Sequence, residues 1–513
     1  MSLFAALLAL TFVVVPLDDR PVTAQLPRLL GAIAGVRVVE PPRTLLGRYL
    51  TAGDPDAILR WLRDDAPANA AAYVASNDMV AYGGLVASRI PGTSRAVAYT
   101  RISMLAALRA ARPAASFSVF GTVMRLAPTG VPAAGVAAHY PFAGDAWPLI
   151  QRYANLPDPP QSDPQRAEAA GLRERLGPAL DAYLATRARD RDVDLFALRT
   201  AAEGGFDRVV LGQDDAGPVG LHLHDLAALR HFARTWLGPA RASIEPGADE
   251  LAMALVAAAL ARQAAIVPRV RVTYSRPGGD TMNDPIEYAP IATTVGELIA
   301  TSGARLVSST DGPVASDIDL YVRVPGTSDA EERAFADAIA AAPERAAVAD
   351  LSFLADQDYA QQRRLTQDLL ARGVAGRVAA FASWNTVANT VGTALPEAIA
   401  VLAGQRLGTY DARMHLTFTL MRYVDDVAFH TDVRPALNAG LNAAGVIDHT
   451  LLVGVVAEQT EHRDRALLWP EGLDLLAALA RGYGDAGFTI TLPWDRTFET
   501  ELDVRLRALD ARG

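Results

Sequence analysis

The sequence predicts an α/β fold with a parallel sheet, which we assign to a (β/α)8-like barrel followed by a helical C-terminal region. Short aliphatic runs alternate along the chain with Ala-, Leu- and Arg-rich stretches of helical length. Strands that are aliphatic along their whole length are typical of a parallel sheet covered on both faces. Periodicity alone does not distinguish a closed barrel from an open doubly wound sheet.

Eleven aliphatic runs are predicted as strands, and they occur in this order: 12–17, 36–41, 71–77, 116–123, 207–212, 241–246, 269–274, 304–309, 318–324, 346–352 and 377–383. The stretches between them are predicted as helices: 55–64, 101–111, 165–187, 220–235, 248–264, 328–341, 359–372 and 393–405. After residue 405 the pattern changes to a long helical stretch and a β-rich tail over 487–506. We therefore expect an α/β domain of catalytic type over residues 1–405 and a mainly helical C-terminal subdomain over 406–513.

Composition limits the function classes. The 513 residues include no cysteine, so disulfides, thiolate metal sites and cysteine nucleophiles are excluded. The net charge of −10 argues against nucleic acid and against an anionic membrane surface as partners. Residues 1–17 carry no charge but lack a basic start and a clear cleavage site. We expect a cytoplasmic protein, or an exported one if residues 1–10 are the remnant of a signal peptide.

Polar residues collect directly after the predicted strands. The carboxyl ends of parallel strands meet at one edge of the sheet, where α/β proteins bind their ligands. Turn formation and helix capping explain any single polar strand end, but not six of them in one chain. We therefore predict a polar pocket suited to a polyhydroxylated ligand, such as a small molecule or an oligosaccharide. Its expected substrate-binding residues are Asp18, Asp19, Arg20, Asn77, Asp78, Arg125, Gln213, Asp249, Glu250, Trp384, Asn385 and Asn389.

Asp214 and Asp215 are the predicted catalytic pair. Two adjacent carboxylates repel each other, and burial increases the cost, so folding alone does not explain them. Paired carboxylates serve glycoside cleavage, in which one carboxyl protonates the leaving oxygen and the other attacks, activates water or supports an internal nucleophile. The alternative is structural: one aspartate caps the following helix while the other pairs with Arg20 or Arg125.

Two other functions remain open. A metal-assisted hydrolase or deacetylase would use Asp18, Asp19 and His222, although no metal-binding motif is present and no metal is expected. A sugar-binding protein would use the same carboxylates only as hydrogen-bond acceptors. No cofactor is expected, because the chain lacks the glycine-rich nucleotide and phosphate motifs.

Two features near the C-terminus have structural alternatives. Asp425 and Asp426 are spaced to form helical ion pairs with Arg422. The segment 494–496 could close over the pocket or merely pack the tail.

Eight stretches resemble one bacterial family, catalogued as domain of unknown function 4127. They are 16-PLDDRPVT-23, 77-NDMVAYGGLVASR-89, 123-VMRLAPT-129, 211-LGQDDAGPVGLH-222, 246-PGADELAM-253, 384-WNTVANTVGTAL-395, 422-RYVDD-426 and 493-PWDRTFE-499. The resemblance spans essentially the whole chain and implies no particular chemistry.

Two shorter stretches, 213-QDDAG-217 and 383-SWNTVANT-390, are similar to motifs of barrel hexosaminidases of the O-GlcNAcase type. That resemblance implies that Asp214 orients a substrate acetamido group, that Asp215 is the general acid, and that Asn385 and Asn389 bind sugar hydroxyls or the acetamide. The chain departs from the family pattern at Trp384, which is followed directly by Asn385 without an intervening aspartate.

Overall fold

Residues 10–131, 140–307, 315–354 and 360–509 are described by the computed structural model of the chain. Their strands form two open parallel sheets and one antiparallel hairpin. The first sheet contains β1 (Thr11–Val15), β2 (Arg37–Val39), β3 (Ala72–Ser76), β4 (Ser116–Val123), β5 (Arg208–Gln213) and β6 (Ala242–Pro246). The second contains β7 (Arg269–Tyr274), β8 (Arg305–Leu306), β9 (Ile318–Arg323), β10 (Ala346–Asp350) and β11 (Ala380–Ala382). The hairpin pairs β12 (Tyr483–Thr491) with β13 (Glu501–Ala508).

The two parallel sheets share one strand order. The first runs β2-β1-β3-β4-β5-β6, and the second, read from its other edge, runs β8-β7-β9-β10-β11. If the strands of each sheet are numbered along the chain, both sheets have the order 2-1-3 and then continue in sequence, as in flavodoxin-like sheets. In such sheets ligands bind beyond the carboxyl ends of the strands.

The predicted parallel α/β architecture is confirmed, but the described strands do not close into a barrel. A closed barrel would require β6 to pair with β7, and β7 instead pairs with β8 and β9. The strands expected in a single sheet within residues 1–405 therefore form two sheets, divided by the chain between β6 and β7.

Helices connect and cover the strands. In chain order they are α1 (Gln25–Ile33), α2 (Pro55–Asp64), α3 (Asn77–Tyr82), α4 (Leu85–Ser88), α5 (Arg95–Ala111), α6 (Ala146–Ala154), α7 (Asp163–Leu176), α8 (Pro178–Ala202), α9 (His222–Trp236), α10 (Leu251–Gln263), α11 (Ile291–Thr301), α12 (Asp329–Ala341), α13 (Ala360–Ala371), α14 (Val387–Leu407), α15 (Ala412–Arg422), α16 (Arg434–Ala443) and α17 (Gly454–Leu479). A π-helix, Tyr423–Val433, joins α15 to α16. Single 3₁₀ turns occupy Arg43–Leu45, Gly279–Thr281, Pro343–Arg345, Ser352–Leu354, Ala375–Arg377 and Pro493–Asp495.

The apolar patterning of these elements explains how the sheets pack. One core joins a face of the first sheet, through Phe12 and Val14, to the second sheet, and it contains most of α10 and α14. A second core fills the opposite face of the first sheet beneath α2, α5, α8 and α9. α10 is apolar on nearly every side because it lies inside the first of these cores.

The C-terminal region is mainly helical, as expected, and ends in the predicted β-rich tail. Among the described residues one helix, α14, is long and apolar enough to cross a membrane, and 94% of its apolar window is buried inside the molecule. A buried core helix meets the same criterion of length and composition. The leader hypothesis concerns residues 1–10, of which 1–9 lie outside the described residues.

Candidate functional site

A cavity of about 1050 Å³ lies beyond the carboxyl ends of strands from both sheets. The segments after β1, β4, β5 and β6 line it from the first sheet, and those after β7 and β11 line it from the second. The segments after β2 and β3, the helix α6, the loop of the β12–β13 hairpin and the region around α16 also line it. The cavity thus lies where parallel α/β sheets place their ligands.

Asp214 and Asp215 follow β5 directly and enter the cavity wall. Just before them, Gly212 packs closely against the segment after β6, since a Cβ atom at Gly212 would lie 2.1 Å from the carbonyl oxygen of Gly247. The side chain of Gln213 then fixes the turn, since its Nε2 atom donates to the carbonyl oxygen of Asp214 at 2.8 Å.

Each carboxylate of the pair has its own arginine. Asp214 is buried and forms an ion pair with Arg89. Asp215 pairs with Arg125 at 3.1 Å, and its side chain remains 38% exposed to the cavity. Desolvation, followed by the charge of Asp214, raises the pKa of Asp215 to about 6, although Arg125 and Arg89 act in the opposite direction. The predicted pairing of one aspartate with Arg125 is confirmed, and the predicted helix cap is wrong, because no side chain caps α9.

Arg20 is held between two carboxylates at the end of β1. Its guanidinium bonds Asp249 through two contacts of 2.6 and 2.8 Å and bonds Asp18 at 2.7 Å. Burial alone would lower the pKa of Arg20, but the two aspartates outweigh burial and raise it. Asp18 also accepts a bond from the hydroxyl of Thr23 at 2.8 Å. Asp18 is therefore a support for Arg20 rather than part of the cavity surface.

Trp494 connects the C-terminal hairpin to the end of β1. Its Nε1 atom donates to Asp19 Oδ1 at 2.6 Å, and its ring stacks on Tyr49 with centroids 5.2 Å apart. The guanidiniums of Arg20 and Arg496 lie 4.7 and 4.6 Å from the ring centroid. Trp494 has a left-handed φ of 61°, a strained backbone conformation that these contacts stabilise. The segment 494–496 therefore lines the cavity through Trp494 and Arg496, so it does more than pack the tail.

The first turn of α14 forms the cavity wall on the side of the second sheet. Its backbone N–H groups are already bonded, Val387 to Asp284 at 3.2 Å and Ala388 to Glu287 at 2.7 Å. Burial, followed by the charge of Asp284, raises the pKa of Glu287 to about 8. The start of this helix is therefore occupied by carboxyl groups of the protein itself.

Asn389 links this turn to the first sheet. Its Nδ2 atom donates to Glu250 Oε2 at 2.9 Å, and its Oδ1 atom accepts from Asn385 Nδ2 at 2.7 Å. Burial raises the pKa of Glu250 well above its usual range. Glu250 therefore connects the two sheets beneath the cavity, while the two asparagines lie on its surface.

The structure brings eight of the predicted site residues to the cavity surface: Arg20, Arg125, Gln213, Asp214, Asp215, Asp249, Asn385 and Asn389. Six others do not line it: Asp18, Asp19, Asn77, Asp78, Glu250 and Trp384. The substrate-binding role expected of these six is not supported by their positions. Asp18, Asp19 and Glu250 lie directly behind residues of the wall.

Asn77, Asp78 and Trp384 are structural residues. Asn77 donates to Asp194 of α8 at 3.2 Å, and Asp78 accepts the backbone N–H of Thr122 at 2.9 Å. Trp384 is buried, and its Nε1 atom donates to the hydroxyl of Thr393 at 3.2 Å. Each of these side chains bonds to another part of the protein, which explains why these strand ends match the pattern without reaching the cavity.

Several cavity residues were missed by reasoning from strand ends. Arg89 lies within the stretch 77–89 that resembles the family, so this motif could have identified Arg89 as a candidate site residue. Glu287, Arg434 and Asp448 line the cavity but follow no predicted strand directly. No pattern in the sequence marks these three residues.

The residues proposed for a metal site do not converge. Across the described ranges, no group of three or more His, Asp or Glu side chains is arranged to hold a metal ion. His222 is fully buried and does not line the cavity. Burial, followed by the charges of Arg187 and Arg230, lowers the pKa of His222 to about 4.

The predicted ion pairs of Arg422 are confirmed. Arg422 bonds Asp426 at 2.9 Å and Asp425 at 3.1 Å. Asp426 also accepts the backbone N–H of Ser383 at 2.7 Å, so the π-helix is fastened to the end of β11.

Comparison with known proteins gives one match. A family model described as "Protein of unknown function (DUF4127)" matches residues 12–503. Neither the curated proteins nor the solved structures gave a match. Since the match covers nearly the whole chain, including every cavity residue described above, the protein belongs to the DUF4127 family.

Proposed function

We propose that the protein is a glycoside hydrolase that acts on a sugar substrate through Asp214 and Asp215. One observation carries the proposal: two adjacent carboxyl groups on the wall of a cavity of about 1050 Å³ have different environments. Two carboxyl groups in different environments are the arrangement that enzymes use for two different catalytic roles.

Asp215 suits the general acid. Its side chain is the more exposed of the two, and its pKa of about 6 keeps a large share of the carboxyl protonated in mildly acidic solution. In the proposed step the Asp215 carboxyl gives its proton to the glycosidic oxygen as the bond to the anomeric carbon breaks.

Asp214 suits the second carboxylate. Its ion pair with Arg89 fixes the side chain in one position. The similarity to hexosaminidases assigns it the orientation of a substrate acetamido group, which attacks the anomeric carbon. N-acetylhexosaminides are therefore the first substrates to test, with Asn385 and Asn389 as donors and acceptors for the sugar.

The cavity has the size and surface for more than one sugar ring. Its volume is at the upper end of the ~300–1000 Å³ typical of small-molecule sites. Amide side chains and the indole of Trp147 lie on the wall among the charged groups. Polar donors beside an aromatic face are a combination that suits a polyhydroxylated ligand.

The first experiment is hydrolysis of a panel of nitrophenyl glycosides, including N-acetylhexosaminides, with and without a chelator. Release from one sugar that resists the chelator is the expected result. Release abolished by the chelator would favour a metal-assisted hydrolase or deacetylase. Binding of sugars without release from any substrate would favour a sugar-binding protein.

The roles of the two aspartates are then separated by leaving group. Nitrophenolate leaves without protonation, whereas an alkoxide needs the acid. We expect Asp215→Asn to lose roughly 100-fold or more of its activity on an alkyl glycoside and much less on the nitrophenyl glycoside. Asp214→Asn is expected to lose activity on both, and Asp503→Asn, at an exposed position of β13, on neither. Full turnover of the alkyl glycoside by both cavity variants would remove the basis of the proposal.

A further inference from the structure

Charged side chains of both signs line the cavity. The protein has a net charge of −10, and all 48 of its Lys and Arg residues are arginine. Five arginines line the cavity: Arg20, Arg89, Arg125, Arg434 and Arg496. Guanidinium groups stay charged at any physiological pH and bind planar oxyanions through two parallel bonds.

Four of these arginines are neutralised by carboxylates of the protein. Arg20 is bonded to Asp18 and Asp249. The other three ion pairs are Arg89 with Asp214, Arg125 with Asp215, and Arg496 with Glu499. These four are therefore compensated before any ligand enters.

Arg434 is different. Within the described ranges it forms no ion pair, and its polar contact is with the ring nitrogen Nδ1 of His430 at 3.3 Å. Burial, followed by the charges of Arg434 and Arg422, lowers the pKa of His430 well below its usual range, so the imidazole is neutral. Arg434 is only partly buried and borders both the main cavity and a smaller adjoining one of about 110 Å³.

Two carboxyl groups on the same cavity wall bond to other partners. Asp448 bonds the backbone N–H of Thr450 at 2.8 Å and its hydroxyl at 2.6 Å. Glu287 accepts from Thr294 and Ala388, and its pKa of about 8 makes it largely neutral near pH 7. Within the described ranges neither of these carboxyl groups forms an ion pair with Arg434, so no direct contact compensates its charge.

Aromatic rings hold this charge in place. The guanidinium of Arg434 lies 5.2 Å from the ring centroid of Phe498, and that of Arg496 lies 4.9 Å from the same centroid. Contact with an aromatic ring leaves the N–H edges of a guanidinium available for hydrogen bonds. Two guanidiniums therefore lie against one ring, and within the described ranges Arg496 is paired with a carboxylate, Glu499, whereas Arg434 is not.

We propose that this subsite binds the oxyanion of an acidic sugar, a carboxylate or a phosphate, through Arg434 with Arg496 beside it. That the ligand is a sugar rests on the proposed function. That it carries an anionic group rests on the contacts of Arg434. It makes the substrate a glycoside that carries a negative charge on or next to the ring bound in the cavity.

The test is calorimetric titration of the full-length protein with free glucuronate, glucose 6-phosphate and glucose. We expect at least one acidic sugar to bind roughly tenfold or more tightly than glucose, as one bond to a charged group allows. Tighter binding of glucuronate would identify a carboxylate as the preferred group, and tighter binding of glucose 6-phosphate would identify a phosphate. Arg434→Gln should abolish the preference, while Arg413→Gln, an exposed arginine at the start of α15, should retain it.

Salt provides a measurement that needs no variant. Added salt should weaken binding of the acidic sugar and leave binding of glucose unchanged, because it screens charges. Equal affinity for the three sugars, no measurable binding of either acid, or a preference that Arg434→Gln retains would overturn the inference. Since free sugars are not hydrolysed, this result is independent of turnover. Selective binding of an acidic sugar without hydrolysis of any glycoside would refute only the proposal of a glycoside hydrolase. Hydrolysis of neutral glycosides alone would refute only the proposal of an anion-binding subsite.

Discussion

Arg125 controls the protonation of the proposed acid, so replacing it should move the pH profile in a known direction. The guanidinium of Arg125 lies 3.1 Å from Asp215 and favours the charged carboxylate. In Arg125→Gln the burial of Asp215 and the charge of Asp214 would act with less opposition. The pKa of Asp215 should therefore rise from about 6, and the acid should stay protonated to higher pH.

The size of the shift follows from the geometry. Two unit charges about 4 Å apart interact by about 4 kcal/mol at an effective dielectric constant of about 20. The Asp215 side chain is 38% exposed, so solvent screens the pair and we reduce this to about 1–2 kcal/mol. Since one pKa unit corresponds to about 1.4 kcal/mol, the alkaline limb of the profile should rise by about one pH unit.

The assay is kcat/KM for an alkyl glycoside across about pH 4 to 9, because that substrate requires the acid. The position of the limb is informative even if Arg125→Gln lowers the maximum rate. Arg63→Gln is the matched control, since Arg63 pairs with Asp64 on the surface. A limb that stays in place, or that falls to lower pH, would refute the assignment of Asp215 as the acid. Carbon-13 NMR titration of the aspartate carboxyl groups measures the same shift without turnover.

Two further predictions concern stability. Burial raises the pKa of Glu397 from 4.5 to about 8, so the stability that this group contributes is complete below about pH 4.5 and is lost as the pH rises through about 8. The variant Glu397→Gln retains an acceptor for the backbone N–H of Phe381, which lies 3.1 Å from Glu397 Oε2 in the native protein. In denaturant titrations the unfolding free energy of this variant should fall less steeply than that of the native protein between about pH 5 and 8. An equally steep fall in both proteins would contradict the prediction. Gly212→Ala should lower the unfolding free energy by about 2 kcal/mol or more, because the new Cβ would lie 2.1 Å from the backbone oxygen of Gly247. Gly171→Ala, where no heavy atom lies within 4 Å of the new Cβ, should not destabilise the protein, and equal midpoints for the two variants in calorimetry would refute the steric argument.

The individual elements could be predicted from the sequence because their signals are local. Each aliphatic run overlaps an observed strand, and β4 and β7 have the predicted bounds. The order of the strands could not be predicted in this way, because pairing depends on contacts between distant segments. No residue pattern within these runs indicates whether β7 pairs with β6 or with β9.

The site shows the same limit. Asn77 and Asp214 both follow aliphatic strands, yet only Asp214 reaches the cavity. The difference arises from α8, whose Asp194 engages Asn77 from a position 117 residues later. Arg434 lies within a helical stretch and has no neighbour in sequence that marks it as a cavity residue. Its position depends on how α16 packs, which periodicity does not report.

The bond between Asp19 and Trp494 has a consequence for folding. These residues are 475 positions apart in the chain and lie in contact at the cavity wall. Domains fold as units during synthesis, so the first sheet can form before the hairpin loop exists. Until then Asp19 and Arg20 lack the indole that contacts them in the finished protein. A growing chain therefore presents an open, unfinished cavity. A fragment of the protein that lacks the hairpin therefore lacks one wall of the cavity, and not merely a peripheral tail.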